Sequence, residues 1–330
     1  MSRFAGKKIL ITGASGFIGS HLLAAAVREG ARVTALVRYD SIEHNVRIAH
    51  FWDEIETYEA DIRNLGSLSL LPGKKFDIVF HLAAYNHVGN SFQHAGEAME
   101  TNALGTMNLL ESVGDYERFV YLSTSEVYGL QEPEPFVEHL YPHPLSPYSV
   151  GKYAGEQYAL LKHRQAGRPI AVLRPFNAFG PYQSTRAVIP EIIVRCLRGT
   201  PVQTTAGRQT REFNFVADLV EGMILASLND RAIGQVLNLG NGRDLAIRDV
   251  VQMIHQRSGS ISELQIGALP TRPNEIWAMR SDASRARALL GWHPNVAFAD
   301  GLDLTIAWFK RYIDIYHAQG SPLLALGAGR

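Results

Sequence analysis

Near the N-terminus the chain reads Lys8-Ile9-Leu10-Ile11-Thr12-Gly13-Ala14-Ser15-Gly16-Phe17-Ile18-Gly19. An aliphatic run that ends at glycine fits a strand buried inside a parallel sheet. Helical periodicity begins at Gly16 and continues to about residue 29. In such a strand–turn–helix, Gly13 permits the tight bend, Gly16 lets the backbone approach a pyrophosphate, and Gly19 lets helix and strand pack closely. The phosphate then meets the helix N-terminus, where unpaired N–H groups favour an anion. Glycines at 13, 16 and 19 depart from the plain GxGxxG spacing, but the strand before and the helix after are the context that the mechanism demands. Ser15, Phe17 and Ile18 belong to the same turn and join the glycines as candidate dinucleotide contacts.

The alternation continues outward from this turn. The pattern predicts strands at 32–37, 57–60, 77–82, 118–123 and 169–174, and helices at 95–113 and 147–163. Strand and helix in turn imply right-handed crossovers and a parallel sheet covered on both faces. The expected fold is therefore α/β, a Rossmann-like doubly wound sheet, with a smaller mixed α/β substrate domain. After Arg174-Pro175 the elements shorten around Pro181, Pro190, Pro201 and Gly207. We expect a dinucleotide domain over 1–175 and a mainly substrate-binding domain over 176–330, with the chain returning to the sheet within 213–242. A helix at 217–227 and a strand at 235–239 carry that return. Helices at 247–258 and 301–316 close the chain, and 320–330 reads as a loosely held tail.

Composition bounds the function. Lysine plus arginine and aspartate plus glutamate both number 32, so the basic footprint of a nucleic-acid binder is missing. The first apolar run is too short for a signal segment or a membrane span. The expectation is a soluble cytoplasmic protein with no membrane or nucleic-acid partner. The single cysteine, Cys196, lies among apolar neighbours and reads as a buried bystander. No His, Cys or acid spacing suits a metal, so none is expected.

Tyr148 and Lys152, in Tyr148-Ser149-Val150-Gly151-Lys152, stand four apart, which on a helix puts them on one face. An ammonium beside a phenol lowers its pKa from about 10 toward neutrality and makes it usable as a base. The segment Leu122-Ser123-Thr124-Ser125-Glu126-Val127-Tyr128-Gly129 follows a buried strand and delivers hydroxyls and a carboxylate to the carboxyl edge of the sheet, where ligands bind. Thr124 is placed to hydrogen-bond the reacting hydroxyl or a local backbone group. At the tip of the second strand, Ala35-Leu36-Val37-Arg38-Tyr39 has no acid before Asp40, and Arg38 suits a 2′-phosphate, so NADP is expected, with NAD the alternative. Asp61, followed by Ile62, is placed to reach the adenine or to stand as a solvated loop aspartate. His81, at a strand end, reads as a satisfied core histidine.

Taken with His81-Leu82-Ala83-Ala84, Arg174-Pro175-Phe176-Asn177, Arg211 to Phe215 with Asp218, and Arg272-Pro273, these motifs make the chain resemble the extended short-chain dehydrogenase/reductase family that works on nucleotide sugars. The resemblance covers nearly the whole length. It implies that Leu82, Ala83 and Ala84 line the cofactor, that Asn177, Arg211 and Arg272 hold the sugar diphosphate, and that His87 lines the sugar pocket. An Arg211–Glu212 ion pair is the structural rival for Arg211. Thr124-Ser125-Glu126 looks like the Thr-(Asp/Ser)-Glu signature of the 4,6-dehydratases. In that reading the catalytic set is Thr124, Ser125, Glu126, Tyr148 and Lys152, with Glu126 removing the C5 proton after C4 is oxidised. Ser125 stands where the deoxythymidine-sugar members carry an acid, which is closer to the guanosine-sugar and N-acetylhexosamine branches. The resemblance further implies a tightly bound cofactor recycled within each turnover, and a homodimer paired through the helices at 95–113 and 147–163. The alternatives are a C4 epimerase, a decarboxylase of uronic-acid sugar nucleotides, and a regulator that senses dinucleotide without turnover.

Overall fold

Seven strands form one wholly parallel sheet: β1 Lys8–Thr12, β2 Arg32–Val37, β3 Ile55–Glu59, β4 Ile78–His81, β5 Arg118–Leu122, β6 Ile170–Pro175 and β7 Val236–Leu239. Their spatial order is β7-β6-β5-β4-β1-β2-β3. The computed structural model describes residues 2–38, 47–69, 71, 75–131, 135–271 and 275–314. The strands are apolar at successive positions because both faces are covered. Ile9 and Ile11 of β1 enter one core and Leu10 the other, and β4 divides the same way, with Ile78 and Phe80 opposite Val79. Each such side chain, fully buried, stabilises by about 1.5–3 kcal/mol. The fold expected from the alternation is the fold observed, a Rossmann-like doubly wound sheet.

The strand order reverses at β1, which pairs with both β2 and β4, and the crevice outside the carboxyl ends of β1 and β4 is where such sheets take ligands. At that point helix α1, Phe17–Arg28, starts from Gly16 with no side-chain cap.

Helix α2, Pro147–Ala166, has clear local causes. Ser146 accepts from the Ser149 N–H and the Ser149 hydroxyl answers back, proline stands in the first turn, and Gly167 ends the helix at φ 63°. Each is a strong boundary signal. The face of α2 that carries Tyr148 and Lys152 also carries two glycines. A Cβ at Gly151 would lie 3.0 Å from the Ala98 carbonyl, and one at Gly155 would lie 2.6 Å from the Asn102 carbonyl and 2.6 Å from the Tyr121 hydroxyl. Two glycines thus let the neighbouring helical run press against α2.

That run is not the single helix expected over 95–113. It passes from Ala95–Met99 through a π turn, Glu100–Leu104, to Gly105–Ser112. The extra residue goes with buried Asn102, whose amide oxygen accepts from Tyr85 N–H and whose amide nitrogen donates to the carbonyls of Tyr85 and Tyr148.

Beyond β6 the elements are short. Ala178–Phe179 pairs with Asn214–Phe215, Val202–Thr204 with Leu264–Ile266, and Thr210–Glu212 runs antiparallel to Asp244–Ala246. Helices Val188–Leu197, Ile247–Ser258 and Phe298–Arg311 close over a second core that includes Ile193, Phe213, Val250 and Phe309. Cys196 is buried in this core, and burial pushes its thiol up. The chain then re-enters the sheet through helix Val216–Leu228 and β7, which pairs with β6. The last helix begins at Phe298 rather than 301, because the Asp218 carboxylate accepts from the N–H groups of Asn295 and Val296 and fixes the turn before it. The tail read at 320–330 lies outside the described residues.

No helix among the described residues is long and apolar enough to cross a membrane, and no three His, Cys, Asp or Glu side chains there gather as a metal would need.

Candidate active site

The glycine turn and the loop after β4 are pressed together. A Cβ at Gly13 would lie 2.7 Å from the Ala83 nitrogen, and one at Gly19 would overlap the Gly13 carbonyl at 2.1 Å. No side chain fits at either position, and the first N–H groups of α1 are left without a side-chain partner, so the turn suits a pyrophosphate. Thr12 orders the adjoining strands: its hydroxyl oxygen accepts from the Leu82 and Ala83 N–H groups and lies 2.7 Å from His81 Nδ1. His81 Nε2 meets Thr106, and burial holds this imidazole well below its usual pKa. It is a fully partnered core histidine.

On the far side of the turn, Asp61 is clamped by Arg63 through a 2.5 Å contact, which lowers its pKa. Ile62 is buried, and its carbonyl accepts from Asn108. The Arg38 side chain is 72% exposed and lies 3.9 Å from Glu97, which Arg63 approaches at the same distance. Tyr39 and Asp40 lie outside the described residues.

Tyr148 and Lys152 share one face of α2, as their spacing requires. The carboxyl end of β5 brings Thr124 to them. Thr124 caps the short turn Ser125–Val127, its hydroxyl oxygen accepting from the Glu126 N–H at 3.2 Å while also hydrogen-bonding Tyr148. Lys152 is buried, with Nζ 4.4 Å from the centroid of the Tyr121 ring.

The electrostatics differ from the sequence expectation. The ammonium is not among the groups that lower the Tyr148 phenol. Burial pushes Tyr148 up to about 12, opposed by the Thr124 hydrogen bond, and burial pulls Lys152 down to about 7, opposed by Glu156. Away from water each group resists charge on its own. Glu126 is partly buried, and burial raises its pKa, with Arg211 acting to lower it and Glu275 to raise it further. Ser125 is buried beside it.

Arg211 is held by a different partner from the one expected. Its Nη2 pairs with Glu275 at 2.7 Å, and Nη1 donates to the Thr210 and Ile276 carbonyls. Glu212 turns inward to accept from Ser281 and Asn214. The strand direction decides this, since neighbouring residues point to opposite faces. The Asn177 amide donates to the Glu212 carbonyl at 2.9 Å, so Asn177 lies beside the strand that carries Arg211. His87 lies beyond β4, where Nδ1 accepts from the Asn90 N–H. Arg272 lies outside the described residues.

Sequence reasoning passed over Asn102, Glu156 and Glu275. Asn102 had no readable signal, because a π turn leaves no pattern. Glu156 did have one, a carboxylate four residues beyond Lys152 on the same face.

Known proteins share this fold and sequence over most of the chain. The family model for GDP-mannose 4,6-dehydratase matches residues 10–305. A dTDP-glucose 4,6-dehydratase of Streptomyces niveus is 31% identical, over 92% of this chain and 93% of that protein. UDP-glucuronic acid decarboxylase 1 of Danio rerio is 32% identical, over 93% of this chain and 74% of its own. Among solved structures, UDP-glucuronic acid 4-epimerase from Bacillus cereus, in complex with UDP-glucuronic acid and NAD, superposes with a TM-score of 0.83 at 31% identity, covering 92% of this chain and 99% of that one. The doubly wound sheet, the glycine turn and the Thr124–Tyr148–Lys152 cluster thus sit in a chain that belongs to the GDP-mannose 4,6-dehydratase family of nucleotide-sugar dehydratases and epimerases.

Proposed function

We propose that this protein is a nucleotide-sugar 4,6-dehydratase, converting a nucleoside diphosphate hexose to its 4-keto-6-deoxy form. The observation that carries the reading is the Thr124 hydroxyl, which joins Tyr148 on one side to the Glu126 backbone on the other. A base for the C4 hydroxyl, on α2, and a carboxylate for C5, on the turn after β5, are thereby brought together. A C4 epimerase needs the first of these and has no task for the second.

In this mechanism Arg211 exchanges Glu275 for a phosphate oxygen, a pairing its planar fork suits, with Asn177 beside it. Tyr148 accepts the C4 hydroxyl proton while Thr124 hydrogen-bonds the same oxygen. A nicotinamide dinucleotide, held at the turn bearing Gly13, Gly16 and Gly19, would supply the two-electron chemistry that the conversion needs. With C4 a ketone, the C5 proton is acidic and Glu126 takes it. A carboxyl group whose affinity for a proton is raised by burial then passes it to the C6 oxygen as that oxygen leaves as water. Glu126 next draws a proton from solvent for C5, and Tyr148 releases the proton taken from the C4 hydroxyl back to solvent, which balances the one taken up and resets the site. Mass spectrometry after incubation with a panel of sugar nucleotides tests the assignment. Loss of water is expected, whereas loss of carbon dioxide would make the protein a decarboxylase and an unchanged mass with inversion at C4 an epimerase.

The cofactor in this reading is NADP, retained through turnover, with Arg38 on the 2′-phosphate. Arg38→Ala should weaken NADP binding tenfold or more, as expected for a charge-assisted contact of about 1.5–3 kcal/mol, and leave NAD binding unchanged in calorimetry. Equal losses for the two dinucleotides would assign Arg38 to the strand end alone. The assembly we expect is a homodimer through α2 and the helical run beside it, where Leu104 and Val150 are exposed. A monomeric mass in light scattering would refute that pairing.

A further inference from the structure

Behind Tyr148 and Lys152, α2 carries a third functional side chain on the same face. Glu156 stands one turn past Lys152 and is fully buried. Its carboxylate is held from two sides: the Ser123 hydroxyl, just past β5, donates to Oε2 at 2.7 Å, and Arg174 of β6 donates from Nε to Oε2 at 3.1 Å and from Nη2 to Oε1 at 2.5 Å. Arg174 is in turn packed over the Tyr128 ring at 4.7 Å, and the Tyr128 hydroxyl donates to Asn238 at 2.7 Å.

We propose that Glu156 is a positioning residue for the reaction, the buried counter-ion to Lys152 beneath Tyr148, with Ser123 and Arg174 holding the carboxylate in place.

The inference rests on the reading of Tyr148 as acid and base. An ammonium out of water loses its proton unless a fixed anion faces it. Of the carboxylates facing this part of α2, Glu126, on the turn after β5, acts on Tyr148, and Glu156 acts on Lys152. On α2 the groups around Lys152 are Tyr148, whose phenol is itself pushed up, and Glu156. From β5 comes the Tyr121 ring, whose hydroxyl donates to the Lys152 carbonyl, and just past it Ser123. From β4 comes His81, kept neutral by burial and by the Lys152 charge. From β6 comes Arg174, whose fork is turned to Glu156. Burial draws Lys152 down to about 7, and Glu156 is the group that opposes it. A buried lysine with no carboxylate there would be neutral at working pH and would give the phenolate no support.

The competing account is that Glu156 serves only to pair with Arg174, and the test separates the two without a substrate. The chain has seven lysines, so in holoenzyme isotopically labelled at lysine Cε the Lys152 resonance, assigned by its loss in Lys152→Met, can be titrated by NMR. In Glu156→Gln the Lys152 midpoint should fall by about one pH unit or more. The double variant Glu156→Gln/Arg174→Gln removes both charges, a replacement that buried ion pairs tolerate far better than loss of one partner, and it should show the same fall. Glu156→Asp should restore most of the shift. An unmoved midpoint would overturn the proposal. So would a midpoint that moves in the single variant and returns in the double, because the cause would then be the orphaned Arg174 charge. The sugar-nucleotide panel judges the dehydratase reading separately, so failure of either is distinguishable from failure of the other.

Discussion

Tyr148→Phe should abolish formation of reduced cofactor when substrate is added, with turnover lower by about two to four orders of magnitude, the usual worth of a positioned acid or base. The ring stays, so packing against Thr124 and the start of α2 is kept and substrate affinity should change little. Only the hydroxyl that receives the C4 proton is gone. Stopped-flow absorbance of the nicotinamide on mixing reads the step directly. A variant that still reduces its cofactor at the wild-type rate would move the role of base to another residue and remove the basis of the mechanism.

The second large effect is expected at Glu126. Glu126→Gln keeps the shape of the side chain and leaves Tyr148 and Lys152 in place, so oxidation at C4 should proceed within a factor of about three. Elimination should fall by about two to four orders of magnitude, and reduced cofactor should build up and persist. In deuterated water the wild-type product should carry deuterium at C5, since the proton returned there comes from solvent. An unlabelled product, or undiminished loss of water in the Gln variant, would leave Glu126 a structural carboxylate. The pH dependence follows from its burial. Glu126 must be ionised to accept the proton, and its pKa is raised above the ordinary 4.5. The acid limb of dehydration should therefore lie above that value, rate being lost as pH falls through it.

The sheet was legible in the sequence because its strands obey a local rule. A strand buried on both faces is apolar at nearly every position, and Ile9-Leu10-Ile11 has no other reading so close to a glycine turn. The Tyr148 and Lys152 pair was legible for a similar reason, since four residues on a helix fix a shared face. What failed to show were pairings set by tertiary contact. Arg211 next to Glu212 invited an ion pair, but alternation along the strand sends Glu212 to Ser281 and leaves Arg211 for Glu275, 64 residues away. The effect of Lys152 on Tyr148 was misjudged because spacing reports proximity and says nothing of how dry the site is. The π turn at Glu100–Leu104 was invisible because its cause, Asn102 bound to Tyr85 and Tyr148, lies outside the helical pattern.

The two glycines of α2 bear on how such an enzyme could diversify. Each residue turns a helix by about 100°, so inserting or deleting one between Ser146 and Gly155 would swing a side chain into the Asn102 carbonyl while carrying Tyr148 or Lys152 out of alignment. The glycines and the Tyr148 and Lys152 pair share one face, so a shift that misplaces either misplaces both. Drift in sequence is thus channelled away from α2 and into segments with no such double constraint, such as the Thr210–Glu212 strand and the loop bearing Glu275. A library built to change the accepted sugar should randomise those segments and keep α2 fixed.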